Sequence, residues 1–226
     1  MKIIILEPHP DDLLFGPGPL LLDWINEDYE IHVITVTDGR ACYRLAKDVL
    51  NEEAQNMTED EVADMRINEA KQAIDFLGLP SENHHLLKFH DAEGQKYVDD
   101  AVQKVKPLLE DVDRLVLPSD SNGHEDHQAT HDIGVKAAKE LELKDIEYFV
   151  YFIATYGQFK SDSEEQQFSY SIDEEKRKNL FKWLKIYQSQ KKIKFTWKMY
   201  NSFLKNVDSV TYGKYTYEDI GKYYNF

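Results

Sequence analysis

The chain has 226 residues, enough for one substantial hydrophobic core, and carries 42 acidic against 27 basic side chains for a formal charge of −15. That charge disfavours nucleic-acid backbones and anionic membrane surfaces as partners. The run Ile3-Ile4-Ile5-Leu6 is too short for a signal or a membrane anchor, and the lone Cys42 allows neither an intrachain disulfide nor a thiolate metal cluster, so a cytoplasmic location is expected.

In chain order, Lys2 to Leu6 reads as a buried strand that ends at Pro8-His9-Pro10-Asp11-Asp12. A helix is expected from Leu20 to Asn26 after Pro17 and Pro19, and a second strand from Ile31 to Val36. Residues 39–58 are polar and read as a loop that forms a lid. Helical periodicity over Glu61 to Phe76 stops at Gly78 and Pro80; Leu86 to Phe89 then reads as a short strand, Val98 to Leu109 as a helix and Leu115 to Leu117 as a strand. His124-Glu125-Asp126-His127 opens a helix that continues through Ala129 to Leu141, followed by a strand from Ile146 to Ile153. Ser171-Ile172-Asp173-Glu174 has the form of a capping box ahead of a helix from Glu175 to Tyr187, and Phe195 to Leu204 is a further helix.

Strands that alternate with helices predict an α/β, Rossmann-like three-layer fold with a mostly parallel sheet, in which functional groups gather at the carboxyl ends of strands. All seven prolines precede residue 119 and eleven of the fourteen tyrosines follow residue 145, which marks an aromatic-rich C-terminal extension. Packing is the expected use of those tyrosines, ahead of stacking on a sugar. No linker, repeat or low-complexity tract interrupts the chain, so residues 1–226 read as a single domain. A homo-oligomer is compatible with the sequence, which does not read on it.

Each histidine–aspartate cluster follows a strand-like run and is incomplete alone as a metal site. Residues at i and i+3 in a strand-exit loop point the same way, so His9 and Asp12 can converge on one ion while Asp11 points elsewhere, available for proton transfer. His124 and His127 share one face of a helical turn, where one can bind metal while the other faces substrate. Together the clusters supply what a catalytic divalent ion needs: about three imidazole or carboxylate ligands, an open position and a nearby base. The plainer account of either cluster is a helix cap and solvated histidines. His131, one turn after His127, is a possible fourth ligand or a packed residue, and His84, His85 and His90 carry less. Thr37-Asp38-Gly39 lacks phosphate-loop glycine spacing, and Cys42, with no evident base, reads as an ordinary small residue.

On these residues the chain resembles the PIG-L or LmbE-like family of zinc-dependent N-deacetylases, whose signature is His-Pro-Asp-Asp after the first strand and a later His-x-Asp-His. Val36-Thr37-Asp38-Gly39, Arg66-x-x-Glu69-Ala70 with Leu77-Gly78, and Tyr187-Gln188-Ser189-Gln190 resemble further family elements, in order, over residues 1 to 190. Leu13 departs from the pattern, because an acidic residue usually follows the two aspartates, and the support of the metal ligands is put in question there. The resemblance implies a zinc ion on His9, Asp12 and His127, with ferrous iron as the alternative, and Asp11 as the base. Protonated His124 would stabilise the oxyanion, and Asp126 would orient His124 or His127 or stand solvated at the helix start. Asp38 is expected in a turn near the site, as a substrate contact, and Arg66 either binds substrate or pairs with a carboxylate on the helix surface. The implied reaction removes the N-acetyl group from an N-acetylglucosamine-type sugar or glycoconjugate; the rivals are a metal hydrolase of another bond, such as a phosphoester, and a non-catalytic carbohydrate-binding relative.

Overall fold

In the computed structural model, which describes residues 1–120, 122–153 and 166–221, β1 (Lys2–Glu7), β2 (Glu30–Thr37), β3 (His84–Phe89), β4 (Arg114–Pro118), β5 (Glu147–Tyr151), β6 (Gln167–Ser171) and β7 (Ser209–Tyr215) form one sheet. Its order is β3-β2-β1-β4-β5-β7-β6; the first five strands run parallel, β7 adds antiparallel to β5 and β6 antiparallel to β7. The helical segments are α1 (Asp12–Phe15), α2 (Gly18–Asn26), α3 (Cys42–Leu45), α4 (Glu59–Phe76), α5 (Val98–Val105), α6 (Glu125–Glu140), α7 (Glu174–Leu184), α8 (Gln188–Lys191) and α9 (Lys194–Asn206).

The unbroken apolar run of β1 follows from burial on both faces of a parallel sheet. Ile3 and Ile5 join a core with Leu21 and Trp24 of α2, Leu180 and Trp183 of α7 and Leu204 of α9; Ile4 and Leu6 join a second core with Val102 and Val105 of α5 and Ile133 and Ala137 of α6. Full burial of each such side chain is worth about 1.5 to 3 kcal/mol. These three layers are the expected α/β architecture. The strand order reverses direction beside β1, whose neighbours are β2 on one side and β4 on the other, so the crevice of the fold opens at the carboxyl ends of β1 and β4.

Several boundaries differ from expectation for local reasons. α4 starts at Glu59 because Thr58 and Glu61 form a capping box, a signal that precedes the apolar periodicity. The helix expected over residues 98–109 ends at Val105 and continues as a 3₁₀ turn, where Pro107 lacks a donor. The box expected at residues 171–174 does not form: Ser171 ends β6, and Asp173 alone caps α7 by accepting the Lys176 N–H at 2.8 Å. Residues 39–58 are no free lid, since Tyr43, Leu50 and Ala54 pack with Val62 and Ile193, and Leu50 bridges to Ile193. The aromatic extension contributes β7, whose Tyr212 and Tyr215 are buried. Among the described residues no helix is long and apolar enough to cross a membrane.

His84 on β3 ties the edge of the sheet to pH. Burial, with His85 and Lys71 nearby, pushes its pKa down to about 4, and its Nε2 lies 2.9 Å from the Thr35 hydroxyl. An unfolded histidine titrates near 6.5, so between 6.5 and 4 the unfolded chain holds more protons, and the His84 contribution is complete above that window and lost as pH falls through it. Urea unfolding of the wild type and His84→Gln should therefore show their stability difference shrink by roughly 1 to 3 kcal/mol from pH 7 to 4. A difference that stays constant with pH would contradict this account.

Candidate active site

β1 delivers the first cluster through two prolines that fix φ and delay helix formation until Asp12. Thr37 secures the turn by donating its N–H and hydroxyl to the Pro8 carbonyl at 2.9 and 2.8 Å. Asp12 turns back on His9, its Oδ2 lying 3.1 Å from the His9 backbone N and 2.9 Å from Nδ1. Leu13 buries its side chain in the apolar core, and the carboxylate that the sequence lacks at this position reaches it from elsewhere: Glu7 accepts the Leu13 N–H at 2.8 Å.

β4 delivers the second cluster at the start of α6. Asn122 accepts the His124 N–H at 2.9 Å, and His124 caps the helix, its Nδ1 accepting the Asp126 N–H at 3.3 Å. His127 lies 3.3 Å from Asp12 through Nε2, so the two clusters meet across the crevice. His9, Asp12 and His127, all buried, present ligand atoms within 4.8 Å of one another; His9, Asp91, His124 and Asp126 form a second such group. His131 belongs to neither and faces Asp132 at 3.5 Å.

Asp126 is fully buried, which excludes the solvated reading. Its two oxygens accept the Gly94 and Ala92 N–H groups, both at 2.7 Å, and its Oδ2 sits 3.1 Å from His9 Nε2 rather than closely on His124. Asp91 is the site residue that sequence reasoning missed. One oxygen lies 3.2 Å from His9 Nε2 and the other accepts the Ala41 N–H. It stands in an irregular segment after β3, where neither periodicity nor a spaced motif singles it out.

The protonation states of Asp12 and His127 suit a cation, and that of His9 does not. Burial lowers the His127 pKa to about 4 and keeps its ring neutral, as a ligand must be. Burial works to raise Asp12, but His127 and His9 outweigh it and hold the carboxyl at about 2. For His9, burial disfavours the charge and the surrounding carboxylates of Asp91, Asp12 and Asp126 overcome it, so its pKa is raised. Two imidazoles and a carboxylate, buried and convergent, could hold one divalent metal ion, a ligand number that leaves positions open. Burial and the neighbouring His9 lower the His124 pKa, which works against the protonated ring expected there.

α4 carries the counter-charge. Arg66 is buried on the core side of the helix, pairs through Nη2 with Asp11 and donates Nη1 to the Gly39 carbonyl at 3.1 Å. The pairing expected for Arg66 is thereby revised, because its carboxylate partner is the buried Asp11 and not a surface group. Burial raises the Asp11 pKa while Arg66 opposes the rise. One turn on, Glu69 accepts both the N–H and the hydroxyl of Ser189, which brings Gln190 into the wall of a cavity of about 360 Å³. His9, Asp11, Arg66, Asp91 and His124 line its polar end; Ile193, Met199 and Tyr200 line its apolar end. Asp38 is near but outside that lining, occupied by Arg40. Cys42 faces the cavity with its thiol pushed up to about 11 by burial, which leaves no thiolate for nucleophilic attack.

A family model described as PIG-L: GlcNAc-PI de-N-acetylase matches residues 4–138, a span that contains both clusters and Arg66. The chain belongs to the PIG-L family. A diacetylchitobiose deacetylase from Thermococcus kodakarensis is 25% identical over 142 residues, which are 60% of this chain and 48% of that protein, so the chain spans about half the length of this curated relative. A triple-mutant deacetylase of the teicoplanin biosynthetic pathway superposes with a TM-score of 0.74 at 17% identity, covering 97% of this chain and 100% of that one. The 4-carboxy-2-hydroxymuconate hydratase of Pseudomonas putida shares the architecture too, with a TM-score of 0.63, 13% identity and 94% coverage of each chain. The PIG-L fold alone therefore does not determine the reaction.

Gly39 is indispensable to this geometry. Its φ is +70°, and a Cβ there would meet Arg66 Nη1 at 2.6 Å. Gly39→Ala should destabilise the protein by about 1 to 3 kcal/mol in chemical unfolding and displace the guanidinium from Asp11 in a crystal structure. An unmoved Arg66 with unchanged stability would refute the role of this glycine.

Proposed function

We propose that the chain is a metal-dependent N-deacetylase that removes the acetyl group from an N-acetylglucosamine-type sugar or glycoconjugate. The observation that carries this reading is the buried His9–Asp12–His127 group, whose His9 lines the cavity together with Asp11, held by Arg66. A divalent ion held by His9, Asp12 and His127, zinc or alternatively ferrous iron, would supply Lewis-acid polarisation of the acetyl carbonyl and a more acidic water.

Asp11 takes the proton of the attacking water. Burial raises the proton affinity of its carboxyl group, as suits a base, and Arg66 opposes the rise. Because His124 Nδ1 accepts the Asp126 N–H, the proton of the neutral ring resides on Nε2, which can donate to the oxyanion that forms on the former carbonyl oxygen. One such donor is worth about 3 to 4 kcal/mol. As the C–N bond breaks, Asp11 passes its proton to the leaving nitrogen, and acetate and a free amine result. Asp126 and Asp91 hold the His9 ring from its Nε2 side.

Support for the substrate class comes from the family description, from the diacetylchitobiose relative and from the cavity. Phe195 and Met199 line both the cavity and an open groove of about 830 Å³ along α9, a path for the part of the substrate that does not react. Among the described residues Arg66 is the only arginine or lysine in the lining, and Asp11 claims its charge, which disfavours a phosphoester.

Alanine at His9, Asp12 or His127 should abolish stoichiometric metal in elemental analysis. Asp11→Asn should keep the metal and lose on the order of 100-fold or more in turnover. Acetate release should be found among mono-, di- and glycoconjugated N-acetylglucosamine substrates. Phosphoester hydrolysis without acetate release would replace this reading with the rival hydrolase, and a metal-loaded protein that binds these sugars and turns over nothing would replace it with a binding protein.

A further inference from the structure

A helix start needs acceptors for its first N–H groups, and an aspartate at the N-cap ordinarily supplies one with its own carboxylate, two or three residues ahead. Asp11 occupies that position of α1 and does not cap: its carboxylate turns away to Arg66. The Leu13 N–H that it would be expected to take donates instead to Glu7 Oε2 at 2.8 Å, from the end of β1. Glu7 is 2% exposed and lies outside the cavity lining. Its other oxygen is anchored by the Thr35 hydroxyl of β2 at 2.6 Å, and that hydroxyl also contacts His84 of β3.

We propose that Glu7 is a positioning residue: it caps α1 in place of Asp11 and so leaves the Asp11 carboxylate to Arg66 and the cavity. The proposal rests on the reading of Asp11 as the base. A buried N–H left without a partner is strongly disfavoured. Without Glu7, the nearest acceptor for Leu13 is Asp11 itself, in the capping geometry natural to it, and a carboxylate drawn there leaves both the guanidinium and the reacting water.

Two near-isosteric variants separate this role from bulk packing. Glu7→Gln keeps an acceptor for Leu13 and should hold kcat within about threefold of wild type, whereas Glu7→Met keeps the volume without the acceptor. Glu7→Met should retain stoichiometric zinc and a KM within about threefold, lose roughly 30-fold or more in kcat, and show the Asp11 carboxylate on the Leu13 N–H in a crystal structure. Normal kcat in Glu7→Met, or an Asp11 that stays on Arg66, overturns the proposal. Should Glu7→Met not fold, Glu7→Gln decides: retained kcat supports it, and a loss as deep as that of Asp11→Asn overturns it, because the charge and not the acceptor would then matter. The position of Asp11 in the crystal is read without substrate, so failure of the deacetylase reading and failure of this inference are distinguishable.

Discussion

The buried pair between Arg66 and Asp11 is the interaction on which the site depends. Both partners are almost wholly removed from solvent, where neither charge would persist alone, and hydrophobic residues of similar size would be no less stable in their place. What the pair provides is a location: it pins an ionised carboxylate at the rim of the crevice. Its geometry requires a glycine at residue 39, where the chain passes within contact of the guanidinium with positive φ. It also requires α4 to start early enough, through Thr58 and Glu61, to present Arg66 and Glu69 on one buried face.

Glu69 extends the same helix face to the C-terminal segment. By holding Ser189 through two acceptors it places Gln190 and the start of α9 in the cavity wall, so one helix links Asp11, through Arg66, to the opposite side of the cavity. The polar and apolar ends of the cavity thus come from different parts of the chain. The ends of β1 and β3, α4 and the start of α6 supply the former; Leu45, Ala46, Ile193 and the start of α9 supply the latter.

The charge balance at this centre is local. Asp11, Asp12, Asp91 and Asp126 crowd around His9, and among the described residues Arg66, His9 and His127 answer them. Such a concentration of carboxylates persists because most of their oxygens accept backbone or side-chain donors: Asp91 from Ala41, Asp126 from Ala92 and Gly94, Asp12 from His9. A divalent cation would find its ligands already ionised or neutral as needed, apart from the proton on His9.

The sequence by itself determined the architecture and the two clusters, because both leave short-range signals: apolar runs of strand length alternating with helical periods, and histidines and aspartates at spacings that place them together at strand ends. The body of α4 and the meeting of the two clusters were legible for that reason, while the choice of His127 over His124 rested on the family resemblance. Only the tertiary structure decided which way each carboxylate faces. Asp11 looked equally fit to cap a helix, and it is Glu7, six residues earlier, that takes the capping role. Asp91 carried no signal, since an aspartate in an irregular segment is ordinary until the fold sets it 3.2 Å from His9. The environment of His124 likewise follows from the packed crevice, where burial and the His9 ring, more than a hundred positions away in sequence, lower its pKa.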